Sequence, residues 1–439
     1  MPVIFNYFYF FIFLYLLGKG YTRASSKMTY LELGEKKDII VNRGEYMIYF
    51  LLVTSLFAFY SPGLLDLAAI RLLLTLGIFI FMLMFLGQGV RFTAAIYFYL
   101  LFIVWVLLGF AYTSYPAYSL RVLLKYLYPL LLFFVTSTFI QREDLVVKIS
   151  QDLRKVALFS LGVYLIPYVS FLFTGVFYYG TAIAIHYIAI SAIYLASFLY
   201  LGRRRKDMLL ALLFVLPCII WSFRTSLLAN VVFLSVFSVF LYKLRAVIII
   251  AIIAIMGVCV VFYIPSVKEK MFFNSQEITI QDFQEGNISM DNINSSGRFA
   301  MWEDLVARFY SDNKIIGSGT GTVQGYMYNN HVFNGVRVPH NEYLPIICDN
   351  GLIGLVLYVS ALLLIIIHCY IEFIKKHNGH IIRFCAVVSA SSLSGVLCSM
   401  YTENAILYSV ATFTCPIAFY GMMMGLKWAQ KSDKFDKYA

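Results

Sequence analysis

Apolar residues run along this chain in blocks of about twenty. That is the length an α-helix needs to cross a ~30 Å hydrocarbon layer. The blocks lie at approximately 3–18, 45–60, 64–86, 94–112, 122–140, 156–173, 182–201, 208–222, 226–242, 246–264, 346–368, 384–401 and 406–425. Alternation over about ten residues, the mark of a membrane β-barrel, does not occur. The pattern predicts an all-α polytopic transmembrane protein with 12–13 spans. Asp66 and Arg71 give the start of the third block the character of a re-entrant or interfacial segment. The first block, from Val3 to Leu17, has no basic leader and no small-residue cleavage site, so it reads as a retained helix. The pattern stops over 265–345, which reads as one large extracytoplasmic loop. Three parts follow: N-terminal helices over 1–264, the loop, and C-terminal helices with a tail over 346–439.

Composition agrees with this. Hydrophobic residues make up 61% of the chain and charged ones 13%, about half the share in soluble domains. Of the 34 basic residues, 24 fall in one set of connections, among them Arg91, Arg142, Lys148, Arg154, Lys155, the run 203–206 and the C-terminal tail. The positive-inside bias makes that side, with the C-terminus, cytoplasmic. The net charge of +11 is therefore a topology signal, and nucleic acid is not an expected partner. Seven cysteines without a Cys-x-x-Cys pair point to packing rather than to disulfides or zinc.

Ten basic residues lie against the bias, on or near the outer side: Arg71, Arg121, Lys125, Arg224, Lys268, Lys270, Arg298, Arg308, Lys314 and Arg337. Any one of them is accounted for by snorkelling to headgroups. Several together favour a site for an anionic ligand. Arg121 and Lys125 are four apart, on one helical face, and Arg224 sits in the short connection Trp221–Ser226.

Within the loop, 275–296 is polar and acidic and reads as a solvated segment. Ser295 or Ser296 is positioned to cap a helix running to about Tyr310, with Trp302, Leu305, Val306 and Phe309 as an apolar stripe along the membrane surface. Arg298 falls on that stripe and is expected to point inward. Gly317-Ser-Gly-Thr-Gly321 reads as a tight turn with close backbone packing, since no βαβ context supports a phosphate loop. The loop closes on Arg337-Val-Pro-His340-Asn341-Glu-Tyr343-Leu344, just before a long span. A neutral histidine there can take a proton from a sugar hydroxyl, which makes His340 a candidate general base.

Arg298-x-x-x-Trp302, Gly317-x-Gly319-x-Gly321, His340-Asn341-x-Tyr343-Leu344 and Asn350-Gly-Leu-Ile-Gly-Leu355 together resemble the conserved region of bacterial O-antigen ligases and polysaccharide polymerases. Ser222-Phe-Arg224-Thr225 is similar to that family's short Ser–Arg element. The resemblance spans roughly 205–370. It implies a GT-C-like, inverting glycosyltransferase of the inner membrane, with its active site facing the periplasm. The donor would be a glycan on undecaprenyl pyrophosphate, with no metal or other cofactor. Arg224 and Arg298 would grip the pyrophosphate, and His340 would activate the acceptor. Asn341 and Tyr343 fall in the same motif as substrate contacts, and charge placement adds Arg121, Lys125 and Arg337. His186 stays unassigned.

Paired arginine forks can balance pyrophosphate without a metal, and no Asp-x-Asp pair is placed for a nucleotide sugar. Polymerase is preferred to ligase because polymerases are the more sequence-diverse group, and a chain-length regulator is then an expected partner. A lipid-linked oligosaccharide flippase is the alternative from another class. It calls for charges deep within several spans and an internal repeat, and neither is seen in the sequence.

Overall fold

The computed structural model describes residues 25–32, 34–56, 67–85, 91–166, 181–202, 205–220, 223–273, 276–288, 292–294, 297–330 and 336–436. It also describes single positions at 11, 14, 15, 17, 18, 22 and 333. Most of the first predicted span, Asp66, Trp221, Ser222, Ser295 and Ser296 lie outside the described residues.

The chain opens on an antiparallel hairpin, β1 (Ser25–Glu32) and β2 (Glu35–Asn42), paired from Ser25 opposite Asn42 to Glu32 opposite Glu35. Ile39 and Val41, two apart and so on one face, are buried there. The hydropathy pattern predicts no element here, between the apolar blocks at 3–18 and 45–60. Asn42 then caps α1 (Arg43–Val53) in a reciprocal capping box with Glu45.

Helices α2 (Leu67–Phe85), α3 (Ala94–Leu108), α4 (Pro116–Phe139), α5 (Glu143–Leu165) and α6 (Thr181–Tyr200) follow. The block at 208–222 is not a single span: it breaks into α7 (Arg205–Leu213) and α8 (Leu216–Ile220). Next come α9 (Arg224–Tyr242) and α10 (Ala246–Tyr263), meeting at Lys243 with φ 50°. The loop region contains α11 (Pro265–Met271), α12 (Ile280–Glu285), α13 (Arg298–Phe309) and α14 (Thr322–Asn330). The chain ends in α15 (Tyr343–Ile374), α16 (His380–Ser399), α17 (Ser409–Thr412) and α18 (Thr414–Asp436).

Among the described residues, seven helical stretches are long and apolar enough to cross a membrane. The fold is that of an all-α multi-pass membrane protein. Three of the predicted spans are lost from this count for identifiable reasons. The stretch α9–α10 counts as one 40-residue piece, α1 is eleven residues long, and α7–α8 is broken.

At the centre stands α16, packed against α6, α9, α15 and α18. Its sequence explains the position. Ser391, Ser392, Ser394 and Ser399 return their hydroxyls to the carbonyls four residues back. The helix thus presents a small surface on which these four hydroxyls are satisfied, which lets neighbours approach closely.

Arg71 corrects the snorkelling account. Its side chain is buried within the bundle, donating to the carbonyls of Leu51 and Thr54 and to the Thr54 hydroxyl. It satisfies the open C-terminal turn of α1, whose carbonyls have no partner within that helix.

Candidate active site

At the end of the bundle where α9 and α15 begin, three segments converge: the first turn of α9, the start of α13, and the stretch leading into α15. They meet on the turn Tyr401–Asn404 that follows α16.

Arg224, the first residue of α9, donates through Nη1 to the carbonyls of Lys270 (2.5 Å) and Asn294 (2.6 Å). Arg298, the first residue of α13, donates through Nη1 to the Thr402 carbonyl at 2.8 Å. The neighbouring Thr225 and Thr402 hydroxyls are 2.5 Å apart. Arg224 is close enough to Arg298 to feel its charge, and Glu403 partly offsets it. Two guanidiniums against one carboxylate leave this corner net positive. Each of these bonds uses Nη1 of a five-donor fork, so donors remain on the other edge of each arginine.

His340 lies beside them. Its Nδ1 is 3.0 Å from Asn404 Nδ2 and 3.9 Å from Glu403 Oε2, and about a third of the side chain is exposed. The residue sits at φ 51°, a left-handed conformation that costs a non-glycine residue about 1 kcal/mol or more. Bonds on both sides hold it there. Trp302 Nε1 donates to the Pro339 carbonyl at 2.7 Å. Asn341 Oδ1 accepts from the backbone N–H groups of Tyr343 (3.0 Å) and Leu344 (3.2 Å). The Glu342 N–H donates to Met400 O at 2.8 Å. Asn341 therefore caps α15, and the Tyr343 hydroxyl is committed to the Leu397 carbonyl at 2.7 Å. Both predicted contacts act here as supports of the histidine loop.

Residues 209–359 match the O-antigen ligase family. The match covers about a third of the chain and runs across Arg224, Arg298 and His340. It supports the O-antigen ligase and polymerase family whose motifs the sequence resembles. No curated protein matches the chain.

The turn at 401–404 lies beyond the stretch similar to the O-antigen ligase family, and the sequence reading missed it. Thr402 contributes a backbone carbonyl, which leaves no trace in side-chain chemistry. Glu403 and Asn404 do carry a signal, a polar pair between two apolar blocks.

The remaining predicted cations separate. Lys125 and Arg337 line a cleft with Glu342, Asp349 and Asn404, next to His340. Arg121 stands apart, exposed, over the Tyr118 ring at 5.7 Å. The guanidinium of Arg337 lies 5.7 Å from the Tyr328 ring. In the cleft, burial pushes the Glu342 carboxyl up to about 7, against the opposing effects of the Leu407 N–H at 2.9 Å and of Lys125.

The apolar stripe of α13 does not lie on a membrane surface. Leu305 is fully buried, and Met301, Trp302, Val306 and Phe309 join it against Val323, Met327, Leu344 and Cys348. The stripe docks α13 onto α14 and α15, and in doing so carries Arg298 to the turn. The cap of α13 among the described residues is Gly297, with φ 75°.

Proposed function

We propose that the protein is a glycosyltransferase that polymerises undecaprenyl-pyrophosphate-linked repeat units into O-antigen or a related surface polysaccharide. The reaction would run without a metal, on the periplasmic face of the bacterial inner membrane. The observation that carries this reading is the convergence of Arg224, Arg298 and His340 on the Tyr401–Asn404 turn, from segments 42 or more residues apart in sequence.

In this reading the two arginines hold the pyrophosphate of the donor, and the acceptor hydroxyl lies against His340. The hydroxyl oxygen bonds to the anomeric carbon from the face opposite the leaving group, with inversion. The bond from that carbon to the phosphate oxygen breaks, and its electron pair leaves with undecaprenyl pyrophosphate. The hydroxyl proton passes to His340. The arginine forks act most strongly as charge grows on the leaving oxygen, which is where electrostatic help lowers a barrier.

Proton acceptance at Nε2 requires the imidazole proton on Nδ1. Glu403, 3.9 Å from Nδ1, favours that tautomer. Asn404 then turns its amide oxygen toward Nδ1, an exchange of two atoms of nearly equal size. Glu403 and Asn404 are thus positioning residues for the base.

The description of the matched family favours a second reading, transfer of a finished chain to lipid A–core by a ligase. Deleting the gene separates the two. Accumulated single-repeat glycolipid supports polymerase, and long lipid-linked polymer left unattached to core supports ligase. Purified protein given lipid-linked repeat units is expected to form new glycosidic bonds. Transbilayer movement in vesicles without any such product would overturn both in favour of a flippase.

A further inference from the structure

The opposite end of the bundle holds a cavity of about 470 Å³ that the proposed reaction does not use. It lies where α15 and α18 end and α3 begins, at the end that carries the basic connections. Its size is within the roughly 300–1,000 Å³ usual for ligand sites.

The floor is polar and overcharged. The Glu372 carboxylate, only 2% exposed, receives Lys375 (2.7 Å) and Lys427 on the same oxygen. Asn378 Nδ2 donates to its other oxygen at 3.0 Å, and His368 Nε2 approaches at 3.5 Å. His368 is itself held through Nδ1 by the Tyr420 hydroxyl at 2.8 Å, which in turn donates to Thr93 at 2.8 Å. Two lysines on one carboxylate leave an unbalanced positive charge. Lys431 adds another at the exposed rim, and Arg91 stands 5.5 Å from the Trp428 ring that lines the wall.

The wall is apolar and faces outward. Leu364, Ile367 and Ile371 follow one another at spacings of three and four along α15, ending at Lys375 one turn on. Ile367 is 52% exposed and Ile371 43%. A cationic mouth at the end of an exposed apolar stripe is complementary to an anionic headgroup with a hydrocarbon chain attached.

We propose that this cavity binds one anionic phospholipid of the cytoplasmic leaflet. Its phosphate would sit at Lys375, Lys427 and Lys431, and an acyl chain would lie along Leu364, Ile367 and Ile371. The test titrates purified full-length protein in detergent with phosphatidylglycerol, with phosphatidylcholine of the same chains, and with glycerol 3-phosphate, reading Tm and bound lipid by native mass spectrometry. Phosphatidylglycerol is expected to bind and raise Tm, and the other two are not. Lys431→Glu, at the exposed rim and outside the Glu372 cluster, is expected to weaken phosphatidylglycerol binding about fivefold or more without unfolding the protein. Equal effects of the two lipids, a full effect of glycerol 3-phosphate alone, or unchanged affinity in Lys431→Glu would each overturn the proposal. None of these readouts depends on glycan transfer, so the outcome is independent of the catalytic reading.

Discussion

Two loops meet the first turns of α15, and both carry residues that suggest an anion site. They use their polar groups in opposite ways. In the glycine loop the donors are spent internally. Ser318 N–H donates to Cys348 O (2.8 Å) and Gly319 N–H to Asp349 O (2.9 Å). The Asp349 carboxylate takes the N–H groups of Gly321 (2.8 Å) and Val323 (2.9 Å). A buried carboxylate from α15 thus occupies the place a phosphate would take in a nucleotide loop. Around the Tyr401–Asn404 turn the reverse holds. Backbone carbonyls anchor one edge of each arginine, and Glu403 offsets their charge only in part. One loop uses glycine to build a joint, and the other gathers cations beside a strained histidine.

The largest effect separating the two loops is expected on chemistry. His340→Ala is expected to lower glycan transfer about 10²–10⁴-fold, with Tm and membrane insertion unchanged. Normal chain elongation by this variant would remove the histidine from the reaction. Next come Arg224→Ala and Arg298→Ala. Each deletes one charge-assisted grip, typically about 1.5–3 kcal/mol, and each is expected to raise the donor KM by roughly ten- to a hundredfold. Lysine at either position is expected to recover only part of that, because it lacks the fork. Donor KM and kcat both left unchanged by these variants would argue against pyrophosphate contact.

Much of this arrangement was legible in the sequence, and the exceptions share a cause. Apolar blocks located the helices, and charge against the topological bias flagged Arg224, Arg298 and Arg337. The inward aim of Arg298 was legible too, since a charge on an apolar stripe needs a partner. What the stripe faced was not, because apolar spacing is the same for a helix docked on protein and one laid on lipid. The block at 208–222 passed as a span on hydropathy, whereas the structure breaks it at Phe214–Val215. The hairpin stayed hidden because its strands alternate few apolar residues among lysines and acids. The Thr402 carbonyl had no signature at all.

The cleft beside the histidine offers a titration. A buried carboxyl held near 7 keeps a proton in the folded state that the unfolded chain gives up near its ordinary value of 4.5. Glu342 therefore makes the fold less stable as pH rises from about 4.5 to 7. The whole effect is at most about 3 kcal/mol. Glu342→Gln keeps the acceptor for the Leu407 N–H and lacks the ionisation, so its Tm is expected to change less with pH across that window. A pH slope identical to that of the parent protein would place the titration elsewhere.

In the glycine loop the effect is on folding alone. Gly319 has φ 97°, and a Cβ there would stand 2.6 Å from Thr113 Cα and 2.8 Å from its backbone nitrogen. Gly319→Ala is expected to cost about 2 kcal/mol of stability, seen as a lower Tm, while the donor KM of the surviving folded fraction stays put. A raised donor KM at unchanged Tm would mean that the loop touches the donor and that the contrast between the two loops is wrong.

The smallest effect belongs to Arg308, which shares the charge of Arg298 and the same helix. Its Nη2 lies 3.4 Å from Asp304, both side chains are more than 40% exposed, and its guanidinium stands 5.0 Å from the Tyr326 ring. An exposed pair of this kind contributes about 0–1 kcal/mol. The side chain is ten residues beyond Arg298, at the far end of α13. Arg308→Ala is therefore expected to leave donor KM within about twofold and Tm nearly unchanged. A loss as large as that of Arg298→Ala would mean that bulk positive charge on this face draws the donor in, and that the Tyr401–Asn404 turn does not select which arginines count.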